Sequence, residues 1–274
     1  MTTRQRIERI TREALRQIDQ MKAESTKEFL AIVDKMRQEM ILAVAQASEV
    51  NPVTSPGLKS AIERITREYE TKFGAALTEN QRRTFVKGIQ VVDKTVKAGD
   101  IMLAVPYLSE QKLELLKGYN AELVKSITET ARQKIAQEID LAVLGQKPAG
   151  DVIAAIGKNL NSPSVFGTIA KRAEVIHRTE VNRIQEIATA DRMKQVAIQV
   201  PDLSKQWLHS NVGVPRPGHL MLNQVIVKAT EKFTLVGENG TYQVDGPLDP
   251  VLPVEEVANC RCKSIPIIER FLKK

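Results

Sequence analysis

Residues 7–40 read IERITREALRQIDQMKAESTKEFLAIVDKMRQEM. Apolar side chains fall at Ile7, Ile10, Ala14, Ile18, Met21, Phe29, Ile32, Met36 and Met40, with Ser25 filling the one gap and charged residues between them. Steps of three and four place all of these on one side of a 3.6-residue helix. A helix of about forty residues is about 60 Å long at 1.5 Å per residue. Such a stripe needs a partner helix, from this chain or from another copy.

Working outward, NPVTSPG (51–57) interrupts the pattern, and Leu58, Ile62, Ile65, Tyr69, Phe73 and Ala76 form a second stripe. Thr78-x-x-Gln81 has the form of a capping box and predicts a fresh helix through Phe85, Ile89, Val92 and Val96, closed by Ala98, Gly99 and Asp100. Ser109 is expected to cap a long helix through Leu113, Leu116, Leu123, Ile127, Ala131, Ile135 and Ile139, stopping at Gly145. A short helix is expected over 150–160, and Ser162 or Ser164 is placed to start another that reaches about Val196. Seven of the twelve prolines lie at or after Pro201, and none lies in 1–51 or 57–105. The period also changes there. KQWLH (205–209), QVIVKA (224–229), KFTLV (232–236) and TYQV (241–244) are short β-rich runs broken by PRPG (215–218), GENG (237–240) and DGPLDP (245–250). The expectation is an α+β chain: a mostly helical N-terminal two-thirds followed by a small β-containing domain.

Composition narrows the function classes. The chain has 274 residues, 42% of them hydrophobic and 4% aromatic, with a formal net charge of +7. That is enough apolar content for a core and enough length for two domains. The apolar run Ile41 to Ala45 falls far short of a membrane span, and the charged N-terminus lacks the apolar segment of a signal peptide. Two cysteines, Cys260 and Cys262, make no disulfide framework, so a reducing compartment is expected. The mild positive charge favours a polyanionic neighbour only weakly.

Nucleotide-binding and nucleophile-elbow motifs are missing, so nothing nominates an enzyme. Three signals remain. His177, His209, His219, Cys260 and Cys262 all lie in the last 98 residues. Thiolates and imidazoles are the usual zinc ligands, and Cys-x-Cys with one or two distant histidines closes a tetrahedral site, here through His219, Cys260 and Cys262. The plainer expectation is that the two cysteines share one face of the final strand and are simply buried, with no cofactor. The second signal is HRTEVNR (177–183), where Glu180 falls on the apolar stripe of Ile169, Ala173, Ile176, Ile184 and Ile187. A buried carboxylate needs a partner, and Arg183 one turn on or Arg216 from a loop supplies one. A structural ion pair is expected over a general acid or base. The third is a basic stretch, Arg82, Arg83, Lys87, Lys94 and Lys97, offset by Asp93 and Glu79. It reads as a solvated helix face or as a contact to phosphates.

The last hundred residues carry landmarks in a fixed order: RTEVNR (178–183), Trp207, PRPGH (215–219), LMLN (220–223), Phe233, GPLDP (246–250) and NCRC (259–262). This order resembles the phage Mu gpF-like minor head proteins, or head morphogenesis proteins, of tailed bacteriophages. The resemblance runs at most from about Ser109 to Pro266 and departs at Gln224, where such proteins carry glycine. It implies a structural, non-enzymatic protein of the virion head, made in the host cytoplasm and bound at or near the portal. Portal and other capsid proteins are the implied partners, and packaged double-stranded DNA a nonspecific one. The expected divisions are 1–105 (helical, open to oligomer formation), 106–196 (helical part of the Mu F-like domain) and 197–274 (its β-rich part). Glu180, Arg183, Trp207, Arg216, His219, Cys260 and Cys262 are its expected structural core. Two rivals stand beside it: a nuclease or transferase using Glu180, Arg216 and His219, with or without zinc, and a nonspecific DNA-binding scaffold.

Overall fold

The computed structural model describes residues 1–50, 56–104, 166–210 and 216–272, with positions 125, 127–129, 133 and 151 between them. The architecture is α+β. Among the described residues, three long helices, α1 (Thr3–Val50), α2 (Pro56–Ala98) and α3 (Phe166–Ala197), precede β1 (Leu203–Leu208), α4 (Pro217–Met221), β2 (Ile226–Lys228), β3 (Phe233–Gly237), β4 (Gly240–Val244), α5 (Val254–Val257) and β5 (Lys263–Ile268). No helix among the described residues is long and apolar enough to cross a membrane. Of the expected helices from Ser109 to Gly145 and over 150–160, positions 125, 127–129, 133 and 151 are described and helical; their remaining residues, and the caps at Ser162 and Ser164, lie outside the described residues.

The chain forms two compact units. One comprises residues 25–79 and 111–177. Its core is the predicted pair of stripes: Phe29 packs on Phe73 with ring centroids 5.4 Å apart, and Tyr69 donates its hydroxyl to Glu39 at 2.6 Å. As one residue number rises the other falls, so the two helical segments run antiparallel.

The other unit comprises residues 1–24, 80–110 and 178–274. Ile7, Val92, Val96, Met193, Val196, Val200, Leu203 and Ile268 form one buried cluster in it. Here α2 and α3 pack closely at Gly88, where a Cβ would sit 2.8 Å from the Gln185 carbonyl oxygen. β1 is the centre of a three-stranded antiparallel sheet of order β2-β1-β5, and β3 and β4 form a separate hairpin. A second buried cluster, with Trp207, Phe233, Leu235, Val244, Leu252, Val257, Cys260 and Cys262, holds the hairpin, the sheet and α5 together.

Two expectations need correction. The Thr78–Gln81 box opens no helix, because α2 runs unbroken from Pro56 to Ala98. The stripe continues in phase through buried Leu77, Gln81, Phe85, Ile89 and Val92, and buried threonines satisfy themselves on helix carbonyls (Thr84 on Asn80, Thr95 on Val91). A capping box needs non-helical backbone at its first residue, which continuous packing forbids. Cys260 and Cys262 also precede the final strand, which begins at Lys263, although burial alternates through them as it does along β5.

Gln224 sits at φ 68°, with its N–H on the Trp207 carbonyl at 2.8 Å. A left-handed conformation costs an L-residue about 1–2 kcal/mol, whereas glycine adopts it freely. Glycine's larger unfolded-state entropy returns about 0.4–1 kcal/mol of that. Gln224→Gly is therefore expected to stabilise the C-terminal unit by about 0.5 kcal/mol, and Gln224→Val to destabilise it. Urea unfolding followed by the fluorescence of Trp207, the chain's one tryptophan, measures both.

Candidate functional site

β1 carries Trp207 to the centre of the C-terminal cluster, fully buried. Its indole meets two rings edge-on: His219 at 5.5 Å and 89°, and Phe233 at 5.4 Å and 83°. His219 comes from α4, a helix so close to β3 that a Cβ on Gly218 would lie 2.0 Å from the Val236 carbonyl oxygen. Pro217 at the first turn presets the helical φ, and Arg216 occupies the cap position before it.

Each His219 nitrogen has its own neighbour. Nε2 lies 3.0 Å from Glu256 Oε2, and Nδ1 lies 3.5 Å from Cys260 Sγ and 3.7 Å from Cys262 Sγ. A carboxylate only accepts, so Nε2 carries the proton it shares with Glu256 and Nδ1 turns its lone pair to the sulfurs. Glu256 is itself held by the Glu238 N–H at 3.1 Å. Arg216 donates to the carbonyls of Glu255 (2.7 Å) and Ala258 (2.6 Å), closing α5, with Glu256 Oε2 3.9 Å from its Nε. The paired thiols differ: the interaction with Cys262 and burial push the Cys260 thiol up, and the interaction with Cys260 pulls the Cys262 thiol down.

The remaining sequence candidates separate. Glu180, buried, pairs with Arg183 at 3.2 Å, the nearer of its two expected partners, and burial raises its pKa. Arg216 instead serves α5 and Glu256. His177 belongs to the other unit, where it stacks on Phe29 at 4.8 Å. Arg82, Arg83, Lys94 and Lys97 are exposed and Lys87 half-buried, all within about 140° of one face of α2 at 100° per residue.

A second polar cluster was not singled out in the sequence. Glu186, wholly inside, accepts the Ser264 N–H at 2.7 Å and the Gln185 amide at 3.3 Å. Lys22 donates to Asn182 (2.8 Å) and Gln185 (2.7 Å) and lies 3.3 Å from Asp19, which also holds Lys263. From Val181 to Met193 the helix is buried on most of its circumference, so a single stripe does not reveal which polar residues point inward.

Burial pushes Glu186 up from 4.5 to about 8, against the pull of the Ser264 N–H, Lys22 and Lys263. The folded chain then keeps a proton that the unfolded chain releases, so this carboxyl costs stability as pH rises from about 4.5 to about 8. Lys22 is lowered to about 8, chiefly by burial, and contributes the opposite slope only above that value. Glu186→Gln is expected to reduce the loss of stability between pH 5 and pH 8 by up to a few kcal/mol. Urea midpoints of parent and variant across that range check it; parallel profiles contradict it. Comparison with protein-family models, curated proteins and solved structures finds no match for this chain, so its function is argued from its own chemistry.

Proposed function

We propose that this chain is a structural minor head protein of a tailed bacteriophage, bound at or near the portal and acting in head assembly or in DNA packaging and delivery. The observation that carries this reading is the use to which the resemblance residues are put. Trp207, His219, Cys260 and Cys262 lie in one buried cluster, and Arg216 spends its guanidinium on two backbone carbonyls beside it. Groups engaged in this way build a rigid module; turnover requires groups that reach a substrate. The long amphipathic helices supply faces for helical partners such as portal and capsid proteins.

The exposed basic stripe of α2 favours one addition, nonspecific contact with packaged double-stranded DNA. Such contact reads phosphates and weakens steeply with salt. The competing enzymatic reading needs Glu180, Arg216 and His219 to act together, and it predicts turnover by the purified chain.

Peptide mass spectrometry of nuclease-treated particles of the encoding phage tests the proposal. A few copies in every full head are expected. Absence from all particles, with abundant protein in infected cells, overturns it. In the same particles, Arg216→Ala chain is expected to be missing, because α5 loses both carbonyl ties and the module fails to fold; normal incorporation and infectivity contradict that role.

A further inference from the structure

We propose that His219, Cys260 and Cys262, completed by His209, form a zinc site that ties α4 and the segment before β5 to β1. It stands independently of the head-protein reading. The three buried donor atoms lie within 4.8 Å of one another. Zinc holds thiolate at about 2.3 Å and imidazole at about 2.05 Å, so a sulfur and a nitrogen on one tetrahedral ion are about 3.5 Å apart. The two sulfur-to-Nδ1 distances are 3.5 and 3.7 Å. Nδ1 has a single lone pair, which satisfies one S–H donor. Two sulfurs converging on that nitrogen is the arrangement of ligands around a cation.

The surroundings also match. A metal-bound histidine ordinarily gives its other N–H to a carboxylate, which fixes ring and tautomer. Glu256 does this at 3.0 Å, anchored by the Glu238 N–H and beside Arg216. Two thiolates neutralise Zn²⁺ and Arg216 offsets Glu256, so the buried group carries no net charge. Thiolate and imidazole together select zinc over magnesium or calcium.

The β1–β5 register places His209. Its last pair is Leu208 with Lys263, so one further step sets His209 opposite Cys262, on the same side of the ladder. His209 is buried. Rotation of its side chain toward the ion fills the fourth position. Cys-x-Cys differs from the commoner Cys-x2-4-Cys spacing because the alternating backbone of residues 260–262 turns both sulfurs the same way.

The test uses the full chain, purified under reducing conditions and offered zinc alone. One zinc per chain is expected to survive gel filtration with a weak chelator, and cobalt in its place should show sulfur charge-transfer absorption and a tetrahedral d–d spectrum. Glu256→Gln, which keeps a hydrogen-bonding group at the ring, is expected to fold normally and to bind zinc at least tenfold more weakly. His209→Ala is expected to lose as much affinity and the tetrahedral spectrum; full retention of both removes His209 from the site. Cys260→Ser and Cys262→Ser should each abolish stoichiometric zinc, with circular dichroism reporting whether the fold survives. A folded parent with both thiols reduced that takes up no zinc overturns the proposal, as does a titration that finds no free thiols because Cys260 and Cys262 have joined.

Discussion

An imidazole with no access to water must find a partner for each of its nitrogens, and the C-terminal unit is built around that demand at His219. Leaving either nitrogen unpaired in the interior costs about 1–3 kcal/mol. Meeting both at once requires α5 to bring Glu256 to one side and residues 260–262 to bring sulfur to the other. Trp207 closes over the ring edge-on, so β1 is held in the same arrangement. Arg216 then fixes α5 through its last carbonyls, which a four-residue helix cannot satisfy internally. Apart from Trp207, each of these groups is polar or small and contributes little burial alone. Together they set where α4, α5 and the hairpin meet the sheet.

Much of this was legible where one periodicity ruled. The stripe from Ile7 to Met40 lies along α1, and Ala98, Gly99 and Asp100 end α2 with Asp100 at φ 57°. The β-rich runs became strands near their predicted places because proline and glycine punctuation confined them. The reading failed where a local signal met a stronger long-range one. Thr78 and Gln81 carry the residue types of a cap, but Leu77 and Phe85 on either side are already committed to the core, and packing overrides the cap. Glu186 escaped notice for the opposite reason. It neighbours Ile184 and Ile187 and looks like the polar side of a stripe, yet strand β5 covers that side and supplies the Ser264 N–H.

The site residues divide along the same line. Arg183 as the partner of Glu180 was available from helical spacing alone, because i and i+3 share a face. The partner of His219 was not, since Glu256 lies 37 positions away on a helix too short to announce itself. Sequence spacing alone does not sort the histidines: His177 is about as near His219 in number as Cys260 is, but it packs in a different compact unit.

The size of the β portion explains why so much polar chemistry is concentrated there. A three-stranded sheet with a three-residue edge strand and a two-stranded hairpin bury little apolar area by themselves, and isolated hairpins are marginal in water. α3 covers part of the sheet: its Asn182 donates to the Cys260 carbonyl at 3.4 Å and its Thr179 accepts the Asn259 N–H at 3.3 Å. The segment 259–262 therefore meets α3 through its backbone and His219 through its sulfurs. Small units of this kind are commonly held by cross-links in place of a larger core. With a single tryptophan and one phenylalanine in the C-terminal cluster, further apolar stabilisation is limited. The proposed zinc link through Cys260 and Cys262 would act beside Trp207, the hairpin and both short helices, where the elements of the β portion meet.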